Sequence, residues 1–415
     1  MIKRTLTFLV LLAVLDIYAQ TKSIRATIDA GQAGAPISRR IYGQFIEHIA
    51  GIINTGIWAE MLEDRKFYYP ITSQAPPASG QERRFPVRRW TPIGPDEYVS
   101  MDSKRPYAGD HAPMVTLHGS EKRGFQQTGL AVRKGKFYTG SIVVAGDPGA
   151  KISLSLVWGA DARERQSLSI GKLRTAYSTF PLKFQAQADS NDARLEITGA
   201  GTGTFHVGAV SLMQADNMQG FRPEIITALK QLRSGVYRFP GGNFVSAYEW
   251  RNAVGDRDKR PPIMDPVWNA LQPNDVGIDE FMTLCGLLNV DPYIMVNAGF
   301  GDAWSAAQLV EYANGAATTP MGKWRAANGH PQPYGIKLWG IGNEMFGIWQ
   351  MGVMPPDQYQ IKHNLFAKAM RRVDPSITLL QIHIRSFFRM HGHFTKCSAI
   401  RSLSRWLHLL SLPRC

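Results

Sequence analysis

Cysteine is almost missing from these 415 residues: there are three, and only Cys285 stands before residue 390. That number excludes a disulfide framework, and no Cys/His spacing of a metal site accompanies them. Cys285, inside the apolar stretch FMTLCGLL, reads as a buried small hydrophobe. Long apolar runs are missing too, except at the start, so nothing later in the chain is suited to span a bilayer. No glycine-rich GxGxxG loop follows the first candidate strand, which counts against a dinucleotide fold. Acidic residues vanish over 381–415, a segment with six Lys or Arg, four of the ten His and two of the three Cys. Glutamate itself is not found after Glu344.

What is present is a chain 44% hydrophobic and 10% aromatic, enough for two or three domains with real cores. Lys3 and Arg4, the apolar run from Leu6 to Leu15 and the small Ala19 predict a secretory signal over 1–20, although Asp16 sits awkwardly near the cleavage site. An uncleaved anchor is the alternative. The formal charge of +14 falls to +8 without the last 35 residues, and what remains is scattered. With no basic stripe interleaved with aromatics, it reads as a solvated surface, and no nucleic-acid partner is expected.

Two textures divide the body. KSIRATIDAGQAG and RRIYGQFIEH predict an edge strand and a more buried strand. Residues 74–214 then hold short alternating runs (KFYTGSIVVAG, AKISLSLVWG, AYSTFPLKFQ, ARLEITGAG, GTFHVGAVSLM) at the spacing of an inserted antiparallel β-sandwich, preceded by the proline-rich loop QAPPASGQERRFPVRR. From residue 215 to 380 helix and strand alternate. RPEIITALKQLR places Ile225, Ile226, Leu229 and Leu232 on one helical face behind Pro223. SGVYRFPGGN, DPYIMVNAG, IKLWGIGNE and SITLL read as strands; DEFMTLCGLLN, AWSAAQLVEYANG and PDQYQIKHNLFAKAMRRVDP read as helices.

Repeated βα units predict a parallel sheet, either doubly wound or an eight-stranded barrel. The polar residues favour the barrel. Glu47, Asn243, Asn297 and the Asn343-Glu344 pair each end a different predicted strand, and convergence at the C-terminal face is how a TIM barrel builds a site. A glutamate in a dry barrel mouth has its pKa raised by burial, which suits a general acid. Asn343 could hold a substrate hydroxyl, as could Glu47, while Gly241 and Gly242 allow close backbone approach and bring Asn243 into the mouth. The plainer readings are that Asn343-Glu344 caps a turn and that Glu47 pairs with an arginine. His48 reads as a core histidine. Trp58, Trp250, Trp268 and Trp304 are candidates for stacking on sugar faces.

Three stretches, IYGQFIEHIAGIINTGIWAEMLEDRKFY, VYRFPGGNFVSAYEWRNAVGDRDKRPP and KLWGIGNEMFG, resemble glycoside hydrolase family 51, the α-L-arabinofuranosidases, over residues 36–380. The resemblance implies a (β/α)8 TIM barrel, incomplete here at about five strands, with an inserted carbohydrate-binding-like sandwich. It makes 36–73 the first barrel unit and 215–380 units two to five. It implies that Glu344 is the general acid/base, that Glu47, Arg238, Asn243 and Asn343 hold substrate, and that Trp268 lies beside the sugar. The implied chemistry is retaining, needs no cofactor or metal, and requires a second carboxylate about 5 Å away. The family takes that nucleophile from its seventh strand. Here the later acids are only Asp357, which reads as a helix cap, and Asp374 in a loop. The expectation is therefore a secreted or periplasmic exo-acting enzyme on arabinan or arabinoxylan, impaired in this chain. The 381–415 tail is expected to be aberrant, and residues 21–35 a strand whose partner sandwich is missing. Another retaining glycosidase of the same barrel clan, or a non-catalytic polysaccharide binder, stays open.

Overall fold

The computed structural model describes residues 26–29, 31–49, 51–74 and 86–380. The signal expected over 1–20, most of the proline-rich loop and the 381–415 tail lie outside them. Among the described residues no helix is long and apolar enough to cross a membrane.

The described residues 26–29 and 31–41 belong to a unit of their own. Of the edge strand expected over 22–34, the described residues 26–29 and 31–34 form no strand and are exposed. The strand expected in RRIYGQFIEH shrinks to β1, Gln44–Phe45, and both its residues are exposed. Glycine at position 43 and the turn at Arg39–Tyr42 leave too few extended residues for a longer one.

The sandwich follows. Its strands are β2 (Thr91–Ile93), β3 (Val99–Asp102), β4 (Ala112–Val132), β5 (Phe137–Gly146), β6 (Ala150–Val157), β7 (Arg165–Ser169), β8 (Ser178–Gln185) and β9 (Ser190–Gln214). The two runs expected as separate strands, ARLEITGAG and GTFHVGAVSLM, are one 25-residue strand, β9. Its first part pairs with β6 and its last with β5, while β4 runs antiparallel along both parts. The long strands bend together where Gly119 faces Gly201, both at positive φ, a conformation that glycine adopts without strain. Val115, Phe125, Tyr138, Leu154, Leu195 and Phe205 are fully buried between the layers, joined by Met61, Leu62 and Phe67 from before the sandwich.

The remaining elements are α1 (Pro223–Gln231), β10 (Val236–Phe239), the hairpin β11 (Ile263–Asp265) and β12 (Ala270–Gln272), α2 (Ile278–Leu288), β13 (Asp291–Val296), α3 (Ala303–Asn314), α4 (Pro320–Ala327), β14 (Leu338–Ile341), α5 (Pro356–Val373) and β15 (Thr378–Leu380). The hairpin and α4 were not anticipated. In α1 only Ile226 is fully buried, and Leu232, expected on its apolar face, lies past the helix end and is exposed. Asp357 does not cap α5. Pro355 holds that position, and Asp357 sits in the first turn, where a carboxylate favours the positive helix end.

Strands β1, β10, β13, β14 and β15 form one sheet in sequence order, every pair parallel. Tyr237, Phe239, Ile294, Val296, Trp339 and Ile341 pack into one core with Phe281 and Leu284 of α2, Val310 of α3 and Met370 of α5. The alternate residues Arg238, Tyr293, Met295 and Leu338 are not part of that core, so they belong to the other face. Helices on one face only separate a barrel wall from a doubly wound sheet, and five sequential strands match the first five of a (β/α)8 barrel.

Buried charge fastens sandwich to barrel. Arg65 Nε and Nη2 donate to Asp275 at 2.6 and 2.8 Å, Lys66 Nζ donates to the same carboxylate at 3.0 Å, and Arg65 Nη1 reaches Asp258. Glu60 accepts from the backbone of Met61, Leu62 and Leu212 and from Ser211 of β9. Burial alone would raise the pKa of Asp275, but Arg65 and Lys66 hold it well below the usual carboxylate range. A depressed carboxylate stabilises the fold above its unfolded pKa of about 4 and stops doing so as pH falls through the lower folded value. Asp275→Asn leaves two buried cations short of a partner and should cost about 3–5 kcal/mol. Denaturant titrations at pH 7 and at acid pH check this: the deficit should shrink as the wild type acidifies, and a variant as stable as wild type at pH 7 would refute it.

Candidate active site

Five of the expected site residues lie toward the C-terminal ends of strands in the five-stranded sheet, and Trp268 reaches them from the β11–β12 hairpin. Glu47 follows β1, Arg238 is the third residue of β10, Asn243 stands four residues after β10, and Asn343 and Glu344 follow β14. In-register pairing of Phe45 with Arg238 and of Arg238 with Tyr293 brings these strand ends level.

Glu47 is clasped by the loop after β10. Its Oε1 accepts from the Phe244 backbone N at 2.9 Å and from Trp268 Nε1 at 3.1 Å. These are N–H donors, not the arginine pair of the plainer reading. The close fit depends on glycine: Gly241 sits at φ +114°, and a Cβ there would lie 2.3 Å from Glu47 Cβ, while one on Gly242 would lie 3.0 Å from Oε2. Trp268 is itself fixed by the hairpin, because its backbone N donates to Asp265 Oδ2 at 2.7 Å. Burial, helped slightly by the Glu47 charge, raises the Asp265 pKa to about 6.

A second chain of bonds crosses the sheet. Arg238 Nη2 donates to Asn343 Oδ1 at 2.6 Å, and Asn343 Nδ2 donates to Asn243 Oδ1 at 2.9 Å. Because the guanidinium can only donate, it fixes which way the Asn343 amide faces. Burial lowers the Arg238 pKa, against the opposing pull of the Tyr293 hydroxyl and the Glu47 and Glu344 charges. Its buried Nε has no acceptor among the described residues. A polar ligand oxygen would satisfy it.

Glu344 is half-buried, not in the dry setting expected of it, and its backbone is left-handed at φ 45°. Its Oε2 accepts from Trp349 Nε1 at 3.0 Å. Trp349 escaped the sequence reading, although a tryptophan five residues after the glutamate in a glycine-flanked loop was the available signal. A Cβ on Gly347 would overlap the Trp349 indole, so glycine there lets the ring fold back.

Other candidates part company with the site. Asn297 organises its own loop, accepting from the backbone of Gly299, Phe300 and Gly301. His48 is buried among Phe239, Phe244 and Tyr248, and desolvation lowers its pKa to about 3, so it is a neutral core imidazole, as expected. Trp58 and Trp250 are core residues, unsuited to stacking on a sugar, while Trp304 is exposed with Arg251 over its ring. Among the described residues no cluster of metal-binding side chains occurs. Gly241→Ala should cost about 1–3 kcal/mol through the positive φ alone and push Glu47 away from Trp268. A shift in the indole fluorescence together with a lower melting temperature is the expected result; an unchanged protein would overturn the clasp.

Residues 228–393 match the sequence profile described as alpha-L-arabinofuranosidase 1 domain, continuing past the Leu380 boundary expected for the resemblance. Over 161 residues the chain is 42% identical to a probable α-L-arabinofuranosidase C of Aspergillus fumigatus, covering 39% of this chain and 32% of that one. It is 39% identical, with the same coverage, to an intracellular exo-α-(1→5)-L-arabinofuranosidase of Acetivibrio thermocellus. The chain thus spans about a third of the length of the curated relatives it matches. An arabinose-bound GH51 α-L-arabinofuranosidase has the same fold, with a TM-score of 0.67 at 19% identity, covering 82% of this chain and 58% of that one. Over residues 228–393, then, the chain is similar to the α-L-arabinofuranosidases that its motifs resemble.

Proposed function

We propose that the protein is a secreted, exo-acting α-L-arabinofuranosidase of the retaining type, built to release terminal arabinofuranose from arabinan or arabinoxylan. The observation that carries this reading is the bonded row Arg238, Asn343, Asn243, flanked by Glu47 and Glu344 at one sheet end. A furanose presents several hydroxyls in a small space, and such a row offers fixed donors and acceptors together with the unsatisfied Arg238 Nε. Glu344 is the general acid/base: more open than its neighbours, it can give a proton to the departing oxygen and later take one from water. Glu47, already accepting two N–H bonds, is suited to receive substrate hydroxyls.

Retention needs a nucleophile as well. After Glu344 the described acids are Asp357, in the first turn of α5, and Asp374, which accepts from Asn314 and Ser376 where α5 ends. Asp374 lies at the far end of α5, where the chain turns into β15, and Asp357 belongs to the start of α5, not to a strand end. This 415-residue chain is therefore proposed to hydrolyse poorly, with Glu344 deprived of its partner carboxylate.

Release of aryl alcohol from an aryl α-L-arabinofuranoside tests this, with the 415-residue chain beside one continued through the family's further barrel strands. Turnover only in the longer chain is the expected result. Turnover in the shorter one would make Glu47 the second carboxylate and overturn its holding role. In the longer chain, Glu344→Gln should cut turnover of substrates with poor leaving groups by about a hundredfold or more and spare activated aryl substrates. Equal loss on both would count against the acid role. An aryl xyloside hydrolysed faster than the arabinofuranoside would move the substrate assignment to another glycosidase of the same barrel class.

A further inference from the structure

The outer strands of the sandwich leave a cleft that the barrel chemistry does not use. Strand β7 pairs only with β6, and β8 only with β5, so the two face each other across an open edge of the layers. One bond spans it: the Gln185 backbone N donates to Gln166 Oε1 at 2.7 Å. The space between is about 370 Å³, within the range of roughly 300–1,000 Å³ common for ligand sites.

Its lining is uneven in charge. Arg163, Arg165 and Lys183 contribute cations, Phe137 and Trp158 contribute rings, and no carboxylate lines it. Phe137 is 43% exposed, so its ring is open to a ligand, and Lys183 Nζ stands 5.1 Å from its centroid. Nearby acids are already engaged. Glu196 takes Arg165 and Arg194, Asp161 takes the Arg163 backbone N, and Glu164 takes the Asp161 backbone N. Arg165 spends Nη1 on Glu196, yet its buried Nε finds no acceptor among the described residues. An apolar ring beside fixed amides suits the C–H face and hydroxyls of a sugar. The surplus of guanidinium and ammonium suits a carboxylate, which Arg binds with directed, charge-assisted bonds.

We propose that the cleft between β7 and β8 binds a glycan chain carrying a uronate carboxylate, at a place apart from the barrel mouth. The site needs no contribution from Glu344 or Glu47 and stands whether or not the hydrolase reading does. Its effect would be to hold the protein on an acidic plant polysaccharide.

Affinity electrophoresis of the full 415-residue chain through glucuronoarabinoxylan, through the same polymer after carboxyl reduction, and through dextran sulfate tests the proposal by a readout independent of turnover. Retention by the uronate polymer, weakened about tenfold by carboxyl reduction and about tenfold by Phe137→Ala or Lys183→Ala, is expected for the loss of one ring or charge-assisted contact. Arg163→Ala, at an exposed position, gives a third variant in which folding is not at stake. Equal retention by native and reduced polymer would overturn the uronate assignment in favour of a neutral glycan. Equal retention by dextran sulfate would reduce it to non-specific attraction to a basic chain. No retention, or retention that all three variants leave unchanged, would overturn the cleft as the site.

Discussion

The placement of Trp268 against Glu47 depends on one buried carboxylate some distance from it. Asp275 takes up the charges of Arg65 and Lys66, which lie between the first barrel strand and the sandwich. It follows the β11–β12 hairpin directly, and the same loop supplies backbone oxygens to Arg260, which is paired to Glu280 at the head of α2. Asn54 adds a second tie to the hairpin through Gln272. The hairpin is thus pinned from both sides, and it holds Trp268 over Glu47. Three buried or half-buried ion pairs would be a poor way to add stability, since desolvation consumes most of their attraction. Their value here is geometric. Each has few satisfactory arrangements, so the hairpin has few places to sit.

Much of the barrel was legible because its signals are local. Each parallel strand is a short apolar run between glycine or asparagine turns, and Pro223 at the first position of α1 marks that helix's start in the sequence. The sandwich was harder for a physical reason. Glycine read as punctuation at 199–203 turned out to let a single strand bend between layers, and the same residue type does both jobs. The β11–β12 hairpin escaped because its strands are three residues each, too short for any period to register. At the site, strand-end asparagines and glutamates were readable as a set, whereas Asn297 shows the limit of that logic. Its position matches the others, but its side chain is consumed by its own loop, and only the hydrogen bonds reveal this.

Arg238 and Asn343 illustrate how a fixed polar row can be ready for a ligand. A guanidinium partly out of water is costly unless its donors are used. One goes to Asn343, and the aim of that bond orients the amide toward Asn243. The buried Nε is left over, an unmet demand that water or a ligand oxygen must fill. The row therefore holds its shape without a ligand and gains one more bond with it. Such preorganisation reduces the ordering cost of binding.

The backbone around Glu344 completes the argument. Gly342 and Glu344 both adopt positive φ, at 68° and 45°, on either side of a buried Asn343. For glycine this conformation is free, but for glutamate it costs on the order of 1–2 kcal/mol. A plain turn would have no reason to keep that cost, because glycine or asparagine would serve better. The strain makes sense if the two neighbours must point to different tasks: Asn343 inward to Arg238 and Asn243, Glu344 outward to Trp349 and the open mouth. In an ordinary extended strand adjacent side chains would fall on opposite faces of the sheet, one of them among the helices. The double reversal keeps both at the same end, so the strain at Glu344 accompanies the placing of two adjacent polar side chains at one sheet end.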